Sequence, residues 1–426
     1  MKDNVLLVRL WDNDVCSILW DGGYQKGFGK KGAMINFVKG FPEKGYDLAP
    51  LRYPLSDPLV RRGLPIMCRE GEYGGLPSFL SDSLPDDWGN EVFNAWADAR
   101  RLNKSEISPV DKLAFIGKRG MGALEFEPAA YSSDSETNLD LESLYSLALE
   151  IERGRSLVNL QLQDHPGIED LMRVGTSAGG KHPKAIIAIR EDTGEIRSGQ
   201  LLLPEGFKYY LLKFNQGAAW PSAEVEYAYY LMAQDCGVEM MPSKLFPISD
   251  VNHFLTERFD RKNGHKIHIS TLHALAGDVS EYDEIFQVCR LLRVSGMEMR
   301  QLYKRMVFNY LSGNSDDHDK NFSFLMDQDG TWHITPAYDL TFTYDFKNPF
   351  IGAKHAMAIR GKRDGMDRKA LIDCAVRNDV ANPNEIIQQT LDTVCHFAAY
   401  ATEAGVREEP RKVISEILQD RILKQL

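Results

Sequence analysis

The stretch "LSGNSDDHDKNFSFLMD", Leu311 to Asp327, decides the fold. Asp316 and Asn321 stand in it as D-x-x-x-x-N, after a segment of helical pattern and before "NFSFL", whose alternation reads as a strand. That is the spacing of a phosphotransferase catalytic loop. Its Asp accepts the proton of the acceptor hydroxyl and orients it, and its Asn, five residues on, turns back to help hold Mg²⁺ on a triphosphate. D-x-x-x-x-N alone also occurs in surface loops rich in Asp and Asn, so its neighbours must decide.

Downstream, "WHITPAYDLTF" puts Asp339 18 residues after Asn321, where a kinase keeps its main metal ligand. No Phe-Gly follows it, and alone it would read as a turn Asp. Upstream, Lys213 stands in the apolar strand "FKYYLLKFN". A lysine there is costly unless it meets an anion or snorkels to water from an edge. Glu226, on the helical stretch "SAEVEYAYYLMAQDCG" with Ser222 as N-cap and Gly237 as C-cap, is a candidate partner.

Earlier still, "VGTSAGGKHPKAIIAI" (Val174 to Ile189) carries the Walker spacing G-x-x-x-x-G-K. His182 stands where Ser or Thr should bind Mg²⁺, and Pro183 with a branched apolar run excludes the required helix. What remains is a glycine-rich turn entering a strand, whose backbone N–H groups can cradle phosphates or merely close a hairpin. The pieces occur in kinase order: glycine loop, strand Lys, helix Glu, D-x-x-x-x-N, metal Asp.

In that order the chain resembles the HipA-type serine/threonine kinases, the toxin half of bacterial toxin–antitoxin pairs. "GTSAGGKHPKA" resembles their S-x-G-G-x-x-P-K loop, "GNSDDHDKNFS" their N-x-D-x-H-x-K-N-F-S catalytic loop, and "TPAYDL" their T-P-x-Y-D metal segment. "TERFDR" resembles the hinge, while "SFLSDSLPDDWG" and "DKLAFIGKRGMGALEFEP" resemble the family's N-terminal subdomain, so the likeness spans nearly the whole chain.

The resemblance implies a bilobal, protein-kinase-like α+β fold with an N-terminal strand-rich subdomain and a helical C-lobe. It implies ATP and Mg²⁺ as cofactors, Asp316 as the catalytic residue, Asn321 and Asp339 as metal ligands, and Lys213 on the ATP phosphates. Gly179, Gly180 and Lys184 belong to the phosphate loop. Glu257 and Phe259 would present backbone to adenine, with Asp260 near the ribose. Ser177 matches a serine that relatives autophosphorylate to inactivate themselves, with Thr176 beside it as a fallback. A phosphoserine would place nearly two negative charges where the triphosphate sits. Lys181 and Lys184 either hold ATP or pair with that phosphoserine. His318 is expected in the hydrogen-bond scaffold of the catalytic loop. The implied substrate is a cellular protein, aminoacyl-tRNA synthetases being modified by some relatives. The implied partner is a helix-turn-helix, HipB-like antitoxin that carries the DNA contacts. A small-molecule phosphotransferase and a silent ATP-binding scaffold are the rival readings.

Composition agrees. Of 426 residues, 43% are hydrophobic and 26% charged, as in globular chains, and the net charge of −11 disfavours direct grip on nucleic acid. Six scattered cysteines without a C-x-x-C pair fit a reducing compartment, and no apolar run is long enough to span a bilayer. A cytoplasmic protein is expected.

Along the chain, 1–135 reads as a strand-rich subdomain, 136–262 as the rest of the N-lobe, and 263–426 as the helical C-lobe. "NVLLVRLWDND" and "DVCSILWD" form a hairpin turning at Asp-Asn-Asp, "PDDWGNEVFNAWADARRL" a helix, and "ALEFEP" a strand. "EYDEIFQVCRLLRVSG" and "MEMRQLYKRMVFNYLSG" are helices stopped by glycine, and amphipathic helices follow near 383–403 and 410–424. "GKRGMG" (117–122) reads as a turn and the H-x-x-H of His265 and His268 as structural.

Overall fold

The computed structural model describes residues 5–21, 32–68, 71–130, 138–153, 167–175, 180–215, 220–343 and 354–419. The chain divides into two compact units. The first takes residues 1–214, 260–270 and 326–331, and the second takes 215–259, 271–325 and 332–426. The sequence division near 135 falls at 131–137, outside the described residues, and both flanks belong to the first unit.

In the first unit, β1 (Leu6–Leu10) and β2 (Asn13–Asp21) form the expected hairpin. Its turn lies at Trp11 and Asp12 rather than on the Asp-Asn-Asp cluster, because Trp11 takes the left-handed conformation (φ 52°) and Asn13 already pairs with Leu10. β3 (Gly32–Phe37), β4 (Ile66–Cys68) and β5 (Leu124–Glu127) complete an antiparallel sheet in the order β4-β3-β2-β1-β5. Leu6, Val8 and Leu10 alternate inward, the period-two signature of a half-buried strand. Short helices α1 (Pro58–Arg62) and α2 (Ser78–Ser81) lead to α3 (Asp87–Ala99), capped by Asp86, and to α4 (Pro109–Ile116), closed by a capping box at Ser108 and Asp111. α5 (Leu141–Arg153) and α6 (Gly167–Gly175) follow, with α6 against both α3 and the next sheet.

That sheet continues with β6 (Lys184–Arg190), β7 (Glu195–Ser198) and β8 (Phe207–Lys213), with β6 central. β6 has six buried residues in succession, the pattern of a strand covered on both faces. β6 and β8 run antiparallel in a register that sets Lys184 opposite Lys213. The hairpin β11 (Arg261–Lys262) and β12 (His265–Lys266) also belongs here. Arg261 donates to the carbonyls of Gly120 and Gly122, so "GKRGMG" is a turn fastened to protein, as expected.

In the second unit, α7 (Ser222–Asp235) packs on the hairpin β9 (Ser243–Ile248) and β10 (Val251–Glu257). Ser222 is the first helical residue, not the cap. Pro221 precedes the helix and the Ser222 hydroxyl donates to Asn215 Oδ1 instead. Cys236 is the C-cap, and Gly237 takes the left-handed position one residue later (φ 66°).

β13 (His268–Thr271) leads into α8 (Leu272–Ala276), α9 (Tyr282–Leu291) and α10 (Gly296–Ser312). α9 stops well before Gly296, which opens α10. Arg293, at φ 60°, makes the left-handed stop that was assigned to glycine. The pair β14 (Ser323–Met326) and β15 (Trp332–Ile334) follows.

Next come α11 (Arg368–Arg377), α12 (Pro383–Cys395), α13 (Phe397–Glu403) and α14 (Glu408–Ile417). The single helix expected over 383–403 breaks at His396, and residues 420–424 of the last expected helix lie outside the described residues. Tyr229, Tyr282, Tyr303, Phe286 and Phe308 are almost wholly buried in this unit. No described helix is long and apolar enough to cross a membrane.

Candidate active site

The D-x-x-x-x-N loop lies in the second unit. α10 delivers it: a capping box at Ser295 and Glu298 starts the helix, and Gly313, left-handed at φ 71°, ends it sharply. Beyond that stop, Thr343 Oγ1 accepts hydrogen bonds from the backbone N–H groups of Ser315 (2.7 Å) and Asp316 (3.1 Å). Its own hydroxyl reaches Asn314 Oδ1 at 3.4 Å. The main chain at Asp316 is therefore held by a side chain 27 residues away, while the Asp316 side chain stays 61% exposed.

Asn321 closes the loop by donating from Nδ2 to the Asp316 carbonyl at 2.7 Å. Spending its NH₂ in this way leaves Oδ1 as a hard oxygen donor. Such an oxygen is of the kind Mg²⁺ prefers.

Asp317 has the opposite environment. It is 1% exposed and accepts from the Tyr282 hydroxyl (2.6 Å) and from the backbone N–H groups of Ala356 (2.9 Å) and Met357 (3.2 Å). His355 Nδ1 lies 3.0 Å from the same carboxylate. Two adjacent aspartates thus divide the work: one is spent on the fold and one is left outward.

His318 caps the short 3₁₀ turn Asp319–Asn321 by accepting from the Lys320 N–H at 3.2 Å, the scaffold role expected for it. Its Nε2 is 3.9 Å from Asp316. Asp319 is tied to His273 on α8 at 3.0 Å. Burial pushes the Asp319 carboxyl up, but the hydrogen bond and charge of His273 outweigh it and hold the group below its ordinary value.

Asp339 follows Tyr338, whose hydroxyl donates to the Lys320 carbonyl (2.9 Å) and accepts from Ser323 (2.6 Å). The "TPAYDL" segment is thereby fastened to the D-x-x-x-x-N loop. The Tyr338 ring lies 5.9 Å from that of Phe259, and the Ala337 N–H donates to the Glu239 carbonyl at 2.7 Å. Asp339 itself takes the left-handed conformation (φ 57°), costly for a residue with a Cβ and characteristic of functional loops. Glu257 donates its N–H to the Pro242 carbonyl, and Glu226 is buried on α7.

The remaining predicted residues belong to the first unit. Lys213 ends β8 and is partly exposed, Lys184 opens β6 and is buried, and Gly180 is left-handed at φ 106°. Thr176, Ser177 and Gly179 lie outside the described residues.

Asp260, expected near the ribose, opens the β11–β12 segment. It is 1% exposed, and its Oδ2 accepts from the Gly122 N–H (2.8 Å) and from Arg261 Nη1 (2.7 Å). Its carboxylate holds the two glycine-turn segments together. The H-x-x-H reading stands: His268 is buried, His265 exposed.

Sequence reasoning missed Asp317 and Thr343, whose partners are tens of residues distant. Only the doubled Asp at 316–317 carried any signal of the first.

Two family descriptions match the chain: HipA-like C-terminal domain over residues 176–421 and HipA N-terminal domain over residues 6–127. A Haemophilus influenzae protein named "Putative kinase" is 22% identical over 214 residues, which is 45% of this chain and 60% of that protein. Among solved structures, the HipA of a Shewanella oneidensis HipA, HipB and operator DNA complex superposes with a TM-score of 0.64 at 16% identity. That alignment covers 99% of this chain and 96% of the other.

Proposed function

The chain belongs to the HipA family, and on that premise we propose that it is a Mg²⁺-ATP-dependent kinase that phosphorylates serine or threonine on a protein. The observation that carries the reading is the pairing of an outward Asp316 carboxylate with a main chain pinned by Thr343 and Asn321. Such a carboxylate is pre-positioned to receive an acceptor hydroxyl, and holding it in place removes an entropic cost from the reaction.

When bound, Mg²⁺-ATP supplies the phosphoryl group and neutralises the charge that develops on it. Asp316 accepts the hydroxyl proton on its carboxylate oxygen and aims the acceptor. Asn321 and Asp339 hold the metal through oxygen atoms, Lys213 pairs with phosphate, and Glu257 and Phe259 present backbone to the base. Ser177 is the proposed autophosphorylation site, and a HipB-like antitoxin is the proposed partner. The likeness to a HipA solved with HipB and operator DNA supports that partner.

Intact-mass spectrometry after incubation with Mg²⁺-ATP tests the reading. The wild type should gain one phosphate, mapping to Ser177, and Asp316→Ala none, although it still binds nucleotide. Turnover by Asp316→Ala would remove Asp316 from the role. Asp339→Ala should weaken Mg²⁺-ATP binding at least about tenfold, the scale of a lost charge-assisted ligand. Unchanged affinity would contradict the metal assignment.

A further inference from the structure

β6 begins at Lys184, directly opposite Lys213 in the antiparallel register. Opposed residues of such a pair share one face of the sheet, and like charges set there repel. Lys184 is also 2% exposed, and a buried ammonium without a counter-charge tends to shed its proton. The counter-charge comes from the strand-rich segment almost a hundred residues earlier: Asp86 Oδ2 lies 3.8 Å from Lys184 Nζ.

Two further contacts bind the same two places. The Trp88 N–H donates to the Gly180 carbonyl at 3.4 Å, and Trp88 Nε1 donates to the Lys184 carbonyl at 3.0 Å. A Cβ built on Gly180 would lie 2.7 Å from Lys184 Nζ, so the ammonium sits directly beneath the backbone of the left-handed turn. The first turn of α3 therefore grips both ends of the segment 180–184 and places a carboxylate against the cation between them.

We propose that Asp86 is a positioning residue for the phosphate-binding turn, holding Lys184 charged and in place under Gly180 so that the turn keeps the shape that receives a nucleotide's phosphates. The proposal rests on the kinase reading. Asp86 does not touch ATP; it acts through Lys184.

Its two oxygens separate its two tasks. Oδ1 accepts from the Gly89 N–H at 2.8 Å and caps α3, while buried Oδ2 has no hydrogen-bond partner among the described residues. Burial raises the Asp86 carboxyl to about 6, a rise that the Lys184 charge partly offsets. A capping role alone would be met by Asn, which keeps an acceptor oxygen and avoids that burial cost. The retained charge points to the ammonium.

The test is titration of the full chain with Mg²⁺-ATP and, separately, with adenosine, for wild type, Asp86→Asn, Lys184→Met and the double variant. Asp86→Asn keeps the cap and removes the charge. Both single variants should bind ATP about tenfold more weakly, as expected for a lost charge-assisted contact, and bind adenosine as the wild type does. The double variant should bind ATP no more weakly than Lys184→Met, and Asp86→Glu should recover part of the loss. Wild-type ATP affinity in Asp86→Asn overturns the proposal, as does a double variant whose loss is the product of the two single losses. An equal loss toward adenosine overturns it in favour of a merely structural cap. A wild-type protein that binds no ATP overturns the kinase reading itself, and that arm is read independently of every variant.

Discussion

Asp316 and Asp317 are chemically identical and one bond register apart, yet the fold assigns them opposite fates. The D-x-x-x-x-N spacing selects Asp316, whose side chain is exposed. Nothing local predicts that Asp317 is buried under Tyr282, His355 and two backbone N–H groups, because those partners lie 35 to 40 residues away in sequence. The two positions should separate cleanly in experiment. Asp317→Asn should cost roughly 2–3 kcal/mol of stability, since it turns a four-contact acceptor into a mixed group facing donors. Asp316→Asn, at an exposed position, should leave the melting temperature within about a degree or two and remove phosphate transfer. Thermal melting run beside a phosphate-transfer assay decides it. A thermally unaltered Asp317→Asn would show that the hydrogen bonds around that carboxylate contribute little.

At the scale of elements the sequence was informative wherever the signal was local. Alternation in "NVLLVRL", the Pro-Asp-Asp start of α3 and the glycine that ends "MEMRQLYKRMVFNYLSG" are short-range chemistry, and each produced the expected strand or helix. The failures were at ends. Gly296 was read as a stop for α9, but the chain stops earlier, with an exposed arginine in the left-handed conformation. Arginine gives no warning of that role, and α9 is also held by tertiary contacts that no local pattern shows. Two of these contacts are Arg377 with Asp283 at 2.7 Å and Arg290 with Asn378 at 2.9 Å, both joining α9 to α11. The position stores a removable strain. Arg293→Gly should stabilise the protein by about 1 kcal/mol, the usual penalty for a Cβ in that region less the added chain entropy of glycine. A calorimetric midpoint that fails to rise would mean that the Arg293 side chain repays the strain.

The whole molecule is where sequence reading gave least, because the units are not contiguous and the charge environment is collective. Buried neutral histidines occur in both units: burial holds His253 down to about 4 and His268 to about 3. Unfolding lets each take up a proton near the ordinary value of about 6.5, which the folded state refuses until far lower pH. Their contribution is therefore complete above about 6.5 and is lost as pH falls toward 4. Asp86, held up at about 6, works in the other direction over much of that range. With the two histidines and the lowered Asp319 and Asp140 carboxyls on one side and the raised Asp86 and Asp47 carboxyls on the other, the balance predicts a net fall in melting temperature from pH 6.5 to 4.5, with a shallower slope in His253→Gln. A flat profile in the wild type would contradict the burial of both rings.

The interleaving of the units has a consequence for how the protein is made. The chain passes from one unit to the other at 214/215, 259/260, 270/271, 325/326 and 331/332. A ribosome at about 5–20 residues per second thus needs roughly 15 s to a minute before the last piece of the first unit emerges. Asp260 and Arg261, which close on Gly120 and Gly122, are made before then, but residues 326–331 are still missing from that unit. The first unit has all its pieces only once residue 331 is made, and the second only at residue 426, so assembly is a late event in synthesis, and a ribosome that stalls in the middle of the message releases no completed unit.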